Sequence, residues 1–238
     1  MSKYSDKFLT YLREQENGAF LNGTGEALHD SPEGGTQTVG FGHKLTKKEQ
    51  KNRTVYGYDI DEMTVEQAEE VMLKDLEKHE ASLANRIATK GVVDTKGNVL
   101  LSPSEAKALY NNLDRNSIEM LVDFEYNLGN ATGKFPKFST GVLTNNPDLM
   151  RKEYHRKYEV KKGSNDYRSM VRRNNAFAVN FLPEDTTQFS DLPEVPTEPG
   201  TLDYELPPVQ TTPVEEEEVP PAELQATKKY ISSFVDDL

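Results

Sequence analysis

The sequence predicts a mostly helical α+β domain followed by an acidic tail. Three observations carry this. Apolar residues recur at helical spacing through several long segments, a glycine-rich stretch with one short strand interrupts them near the N-terminus, and proline and glutamate crowd into the last quarter of the chain.

Helix one is expected between Ser2 and Gly18, where Tyr4, Phe8 and Leu12 fall at i, i+4 and i+8 with Leu9 beside them. Asn17 and Gly18 supply a stop, so the helix should end near Glu16. From Gly18 to His43 the chain holds seven of its 15 glycines, and Thr38, Val39 and Phe41 read as a short strand among tight turns. Thr64 followed by Gln67 forms a capping box. It starts a long helix whose face is marked by Val65, Ala68, Val71, Met72, Leu76, Leu83 and Ile87.

Asp94, Gly97 and Asn98 read as a loop, and Ser102, Pro103 and Glu105 give an N-cap, a proline at the first helical position and a capping-box acid. Helix continues through Leu109 and Leu113 and, after a break near Asp114, from Ser117 to Leu128, where Gly129 stops it. Two more helical patches are expected, at about Pro147 to Tyr158 and Tyr167 to Phe181.

Composition divides the chain and excludes several functions. Residues 183–238 contain nine of the 13 prolines, 14 of the 40 acidic side chains and two of the 28 basic ones. The rest holds 26 acids and 26 bases, so the whole formal charge of −12 belongs to the tail. A neutral body lacks the basic stripe that nucleic acid requires. There is neither an apolar run of about 18 residues to cross a bilayer nor the apolar core of a cleavable signal. The absence of cysteine removes disulfides, thiol nucleophiles and thiolate metal sites. Three segments are expected: a folded domain over 1–182, a disordered acidic, proline-rich linker over 183–221, and a short helix over 222–238. In the last, Leu224, Ile231, Phe234, Val235 and Leu238 would share one face and dock on a virion or other protein partner, the alternative being a frayed terminus.

Glu16 extends the apolar stripe of Phe8 and Leu12 to the end of helix one. A carboxyl there loses hydration, which favours its protonated form, and the helix C-terminus acts in the same direction. The alternative is a partly exposed end-of-helix glutamate. Asp30, among small polar residues, supplies a second carboxyl in a contrasting environment, the pairing used in glycoside hydrolysis. In the inverting form one acid protonates the leaving oxygen while the other group activates a water. Thr38 could help hold that water, or serve only as a β-former.

These residues sit in three runs: Leu12-Arg13-Glu14-Gln15-Glu16, Leu28-His29-Asp30 and Thr38-Val39-Gly40-Phe41-Gly42-His43-Lys44-Leu45-Thr46. Together they resemble the phage-type lysozymes, or endolysins, of glycoside hydrolase family 24. The likeness continues through Thr64, Ala68, Asp75, Asn127-Leu128-Gly129, the run Phe138 to Leu143 and Arg172-Arg173, and so spans nearly all of residues 5–182.

The resemblance implies a two-lobed fold, with a small β-hairpin lobe, a connecting helix and a helical C-terminal lobe. It implies an inverting muramidase that cuts the β-1,4 bond between N-acetylmuramic acid and N-acetylglucosamine in peptidoglycan, made in a host cytoplasm and acting at the wall in lysis or as part of the virion. Glu16 becomes the general acid, Asp30 the water-activating residue and Thr38 its partner. Gly40, Phe41 and Asn127 would face the sugar, and His43 with Asp75 would brace the small lobe. The fourteen positions from Glu16 to Asp30 imply a bulging loop, with Glu26 and Glu33 as further carboxylates nearby.

No cofactor, metal, nucleic acid or membrane insertion is expected. His29, Asp30 and His43 lack the spacing of a metal site, and neither a nucleophile elbow nor a phosphate loop is present. The rival functions are a catalytically inactive lysozyme-like virion structural or docking protein, and a lytic transglycosylase, which needs a single acid.

Overall fold

A computed structural model describes residues 2–30, 37–156 and 165–182, with side chains of the last segment from 169 onward. All of them belong to the first of the two units into which the chain divides, Met1–Val195. The linker and docking helix expected over 183–221 and 222–238 lie outside the described residues, as does Glu33.

The described chain is mostly helical with three small antiparallel sheets, an α+β composition. Helix α1 spans Asp6–Leu21. It runs past the expected end near Glu16, and the reason is Asn17. That residue leaves helical geometry (φ −154, ψ 65), and its Oδ1 accepts from Phe20 N at 3.2 Å. Asn17 thus ends one helical segment and caps the next turn, so the bulge expected after Glu16 begins as helix.

Strands β1 (Leu28–Asp30), β2 (Gln37–Val39) and β3 (His43–Lys44) form a three-stranded sheet in that order. Leu28 pairs with Val39, His29 with Thr38 and Asp30 with Gln37, while Thr38 also pairs with Lys44 and Val39 with His43. Phe41, expected in the strand, lies in the turn between β2 and β3.

Helix α2 (Lys47–Asn52), with a Thr46–Glu49 capping box, and the hairpin of β4 (Thr54–Val55) with β5 (Tyr58–Asp59) were not anticipated, and neither were the short helices over Ala131–Lys134 and Pro136–Leu143. Six residues are too few to show a 3.6-residue period, so periodicity could not find α2.

Helix α3 (Val65–Lys90) starts at the expected Thr64–Gln67 box and buries Ala68, Val71, Met72, Leu76, Leu83 and Ile87, as the stripe predicts, with Asp75 buried among them. At 1.5 Å per residue its 26 residues reach about 39 Å. The expected loop after it is the turn of a hairpin, β6 (Val92–Val93) with β7 (Val99–Leu101). Asp94 holds that turn by accepting from the backbone N–H of Lys96 and Asn98.

Helix α4 (Pro103–Tyr110) carries the expected Ser102–Glu105 box. Helix α5 (Arg115–Leu128) begins two residues earlier than expected because the side chain of Asp114 caps it, accepting from Ser117 N. Next come α6 (Ala131–Lys134), α7 (Pro136–Leu143), α8 (Pro147–Glu153), which stops short of the expected Tyr158, and α9 (Asn165–Phe181).

The core centres on α5. Phe124 stacks on Phe138 of α7 at 4.2 Å between centroids and meets Phe177 of α9 edge-on at 5.2 Å. Helix α1 joins this helical body: Phe8 and Tyr11 pack edge-on against Phe181. Ser5 at its N-cap donates from both N and Oγ to Glu119 of α5, at 2.6 and 2.8 Å. Glu16 is therefore carried on a helix fixed to the C-terminal elements at its start and pinned to the sheet at its kink. No described helix is long and apolar enough to cross a membrane.

Candidate active site around Glu16

Glu16 lies on the last residue before the α1 kink, its side chain 16% exposed. The sequence suggests apolar surroundings; the structure places a cation there. Arg173 Nη1, from α9, donates to Glu16 Oε1 at 2.7 Å. The other guanidinium nitrogen, Nη2, donates to Asp123 Oδ1 of α5 at 2.8 Å. Asp123, fully buried, also receives a hydrogen bond on Oδ2 from Arg156. Arg156 is itself fully buried, and its Nε and Nη1 meet no acceptor among the described residues. Its planar group lies instead over Phe124, 4.0 Å from the ring centroid, where cation–π attraction offsets part of the lost hydration. Burial works against the Arg173 charge, yet Glu16 and Asp123 outweigh it and hold its pKa well above the ordinary arginine range.

The second carboxylate oxygen of Glu16, Oε2, accepts no hydrogen bond among the described residues and points toward the turn between β2 and β3. A Cβ on Gly42 would come within 3.0 Å of it and within 3.2 Å of the Tyr126 ring and hydroxyl. Gly42 has φ +98, so both its backbone and its missing side chain keep this approach clear. Tyr126 closes the other side: its hydroxyl donates to Phe41 O at 2.6 Å, and its ring meets His79 edge-on at 5.2 Å. Burial, reinforced by Glu16 and Asp75, pushes the Tyr126 phenol well above its ordinary pKa, so it remains a donor.

Asn17 joins the acid to the sheet. Its Nδ2 donates to Glu26 O at 3.1 Å and to Gly40 O at 3.2 Å. Thr38 is buried and Asp30 is exposed. Successive side chains on a strand alternate between faces, so Thr38 shares a face with its partners His29 and Lys44, and Asp30 shares the opposite face with Gln37. Asp30 and Thr38, expected to hold one water between them, thus stand in neighbouring rows of the ladder.

Gly40 and Phe41, expected to face the sugar, both have packing contacts. Gly40 is buried where a Cβ would come within 2.9 Å of Ala68 Cβ, so its φ of +61 and lack of a side chain serve packing against α3. The Phe41 side chain is in the core, 1% exposed, and only its carbonyl faces Tyr126. Asn127 sits half-buried in the last turn of α5, beside Tyr126.

His43 and Asp75, expected to brace the small lobe, lie together: His43 Nδ1 is 2.6 Å from Asp75 Oδ2. Asp75 Oδ1 accepts from Tyr56 at 2.6 Å, and His43 Nε2 faces Glu49 at 3.3 Å. His29 and His43 sit in adjacent pairing rows and so on opposite faces, and no group of three or more potential metal ligands occurs among the described residues.

Sequence reasoning did not identify Asp123, Arg156 or Tyr126 as parts of the site, and reached Arg173 only within a motif. One signal was available. Asp123 interrupts the apolar run Leu121-Val122-Asp123-Phe124, and an acid on a buried stripe requires a cation. No known protein family's sequence profile matches the chain, and neither does any curated protein.

Proposed function

We propose that the protein is a muramidase that hydrolyses the β-1,4 bond between N-acetylmuramic acid and N-acetylglucosamine in peptidoglycan, with Glu16 as the general acid. The observation that carries this reading is the asymmetry of the Glu16 carboxyl. Oε1 is fixed by Arg173, while Oε2 is left open beside a glycine. A general acid needs that arrangement: one oxygen held to fix orientation, the other free to deliver a proton to the leaving oxygen. Thr38, the candidate water-holding hydroxyl, lies on β2, in the sheet that is joined to Asn17 through Gly40 O. The resemblance of the Glu16, Asp30 and Thr38 runs to phage-type lysozymes points to the same substrate. In this reading the enzyme acts at the cell wall of a bacterial host.

The test is digestion of purified peptidoglycan by the intact protein and by Glu16→Gln, with mass spectrometry of the released sugars. Reducing-end muropeptides from the intact protein alone are expected. No release from folded wild-type protein would sink the muramidase reading and favour a non-catalytic role.

A second reading follows from the opposed faces of Asp30 and Thr38. Among the described residues no carboxylate shares the Thr38 row, and a single acid acting alone would close the muramic acid ring on itself, as a lytic transglycosylase does. Anhydro-sugar products in the same digestion would establish it.

A further inference from the structure

We infer that His29, rather than Asp30, is the base that activates the attacking water, an inference that rests on the muramidase reading of the Glu16 site. Three observations place it there.

The first is register. His29 stands directly opposite Thr38 in the β1–β2 ladder, so the two side chains share a face with Cβ atoms about 5 Å apart. Asp30 is paired one row further, on the other face. The imidazole thus stands in the row of the candidate water-holding hydroxyl, with Lys44 on the far side of Thr38.

The second is proximity to the acid. His29 Nδ1 lies 3.4 Å from Asn17 Nδ2, and Asn17 is the residue next to Glu16. The kink that ends the first segment of α1 therefore seats the ring against the neighbour of the acid.

The third is the tautomer. Asn17 has two amide hydrogens, and both are committed to carbonyls, Glu26 O and Gly40 O. Flipping the amide would put its oxygen against those two carbonyl oxygens and lose the bond from Phe20 N to Oδ1, so its orientation is fixed. Asn17 then has no hydrogen left for His29 Nδ1. That nitrogen instead carries the ring proton and donates to Ala27 O at 3.1 Å. In the neutral ring, Nε2 holds the lone pair. It has no hydrogen-bond partner among the described residues and is not one of the buried unpartnered atoms, so it is open to a water. Nδ1–H bound to a carbonyl is the arrangement that orients an imidazole to accept at Nε2.

In the step this defines, a water oxygen bonds to C1 of N-acetylmuramic acid on the face opposite the leaving group as the C1–O bond breaks. The water proton passes to His29 Nε2, and the Glu16 proton passes to the leaving oxygen. One water is added, and the anomeric centre inverts.

The test uses the full-length protein and purified peptidoglycan, with and without sodium azide. Azide replaces a base-activated water without needing a base, and its attack leaves an α-glycosyl azide that mass spectrometry and NMR identify. His29→Asn keeps a donor near the Nδ1 position for Ala27 and deletes Nε2, so it should melt like wild type, while His29→Ala opens the site to azide. We expect turnover to fall 100-fold or more in both, within the range for a lost general base, and azide to restore release from His29→Ala as the α-azide. The azide product from Asp30→Ala and not from His29→Ala would overturn the assignment. So would a His29→Asn protein within a few-fold of wild type. If wild type releases reducing ends and Glu16→Gln does not, the muramidase reading stands whatever His29 does. If wild type releases nothing, or only anhydro products, both fall together.

Discussion

Glu16 and Asp123 are held to one guanidinium, that of Arg173, which donates 2.7 Å to the first and 2.8 Å to the second. Two acids and two arginines, Arg156 being the fourth member, make a network with no formal net charge when all are ionised. Such a network persists in the interior because each charge has a partner and removing one strands another. The acid is thereby positioned by elements from α5 and α9.

Asp123→Asn removes the shared anion and leaves Arg156 buried without a counter-charge among the described residues. The expected cost is about 3–5 kcal/mol, the range for breaking a buried pair, read as a lower denaturant midpoint. Arg173→Gln should cost a similar amount, and the double variant should cost clearly less than the two singles added, because both break the same network. Strict additivity would show that the two residues act independently.

Stability should also depend on pH through His43. Burial works against its charge, but Asp75 and then Glu49 outweigh it, so its pKa in the folded protein lies above the ordinary 6.5. A raised folded pKa means the stabilisation is fully present below 6.5 and is lost as pH rises through the folded value. Asp75 titrates in the opposite sense. Burial alone would raise its pKa, but His43 and Tyr56 hold it below the ordinary 3.8, so its contribution is present above that value and fades as pH falls through the lowered one. Comparing wild type with His43→Asn by denaturant melts, the stability difference should be largest near pH 5 to 6 and shrink above pH 6.5. A difference that grows with pH would contradict the pairing.

The parts of this fold written in local pattern were legible in the sequence. The stripe of α3, the Thr64 and Ser102 capping boxes and the position of Glu16 on the apolar face of α1 each depend on spacings of three or four residues, which a single chain displays. Asn17 was ambiguous for a physical reason. The same amide that ends a helix also caps one, and only the position of Phe20 N decides between them. The Arg173, Asp123 and Arg156 cluster brings together residues dozens of positions apart, and no local period encodes that. The separation of Asp30 from Thr38 depends on a register, and a shift of one residue would have reversed it. Which side chains share a face of this sheet is therefore a feature that composition and motif could not carry.

Gly42→Ala tests the open side of Glu16. Alanine at φ +98 is strained by about 1–3 kcal/mol, and its methyl would sit 3.0 Å from Oε2 and 3.2 Å from Tyr126. Under the muramidase reading the variant should lose more activity than stability, since the methyl occupies the approach to the proton donor. Full peptidoglycan digestion by a folded Gly42→Ala protein would show that substrate reaches Glu16 from another direction.

The start of α1 offers a last test, because its cap is completed by another helix. In α2, α3 and α4 the third helical residue is Glu49, Gln67 or Glu105, and each reaches back to its own N-cap backbone. In α1 that position is Phe8, committed to the core, and Glu119 of α5 takes over by accepting from Ser5 N and Oγ while Ser5 Oγ accepts from Phe8 N. Ser5→Ala should cost about 1 kcal/mol as an ordinary lost cap. Glu119→Ala should cost more, about 1.5–3 kcal/mol, because it removes hydrogen bonds to a charged acceptor at a buried position. A double-mutant cycle between them should show a coupling of about 0.5 kcal/mol or more. No coupling would mean that the two helices are joined by apolar packing alone and that Glu119 has another role.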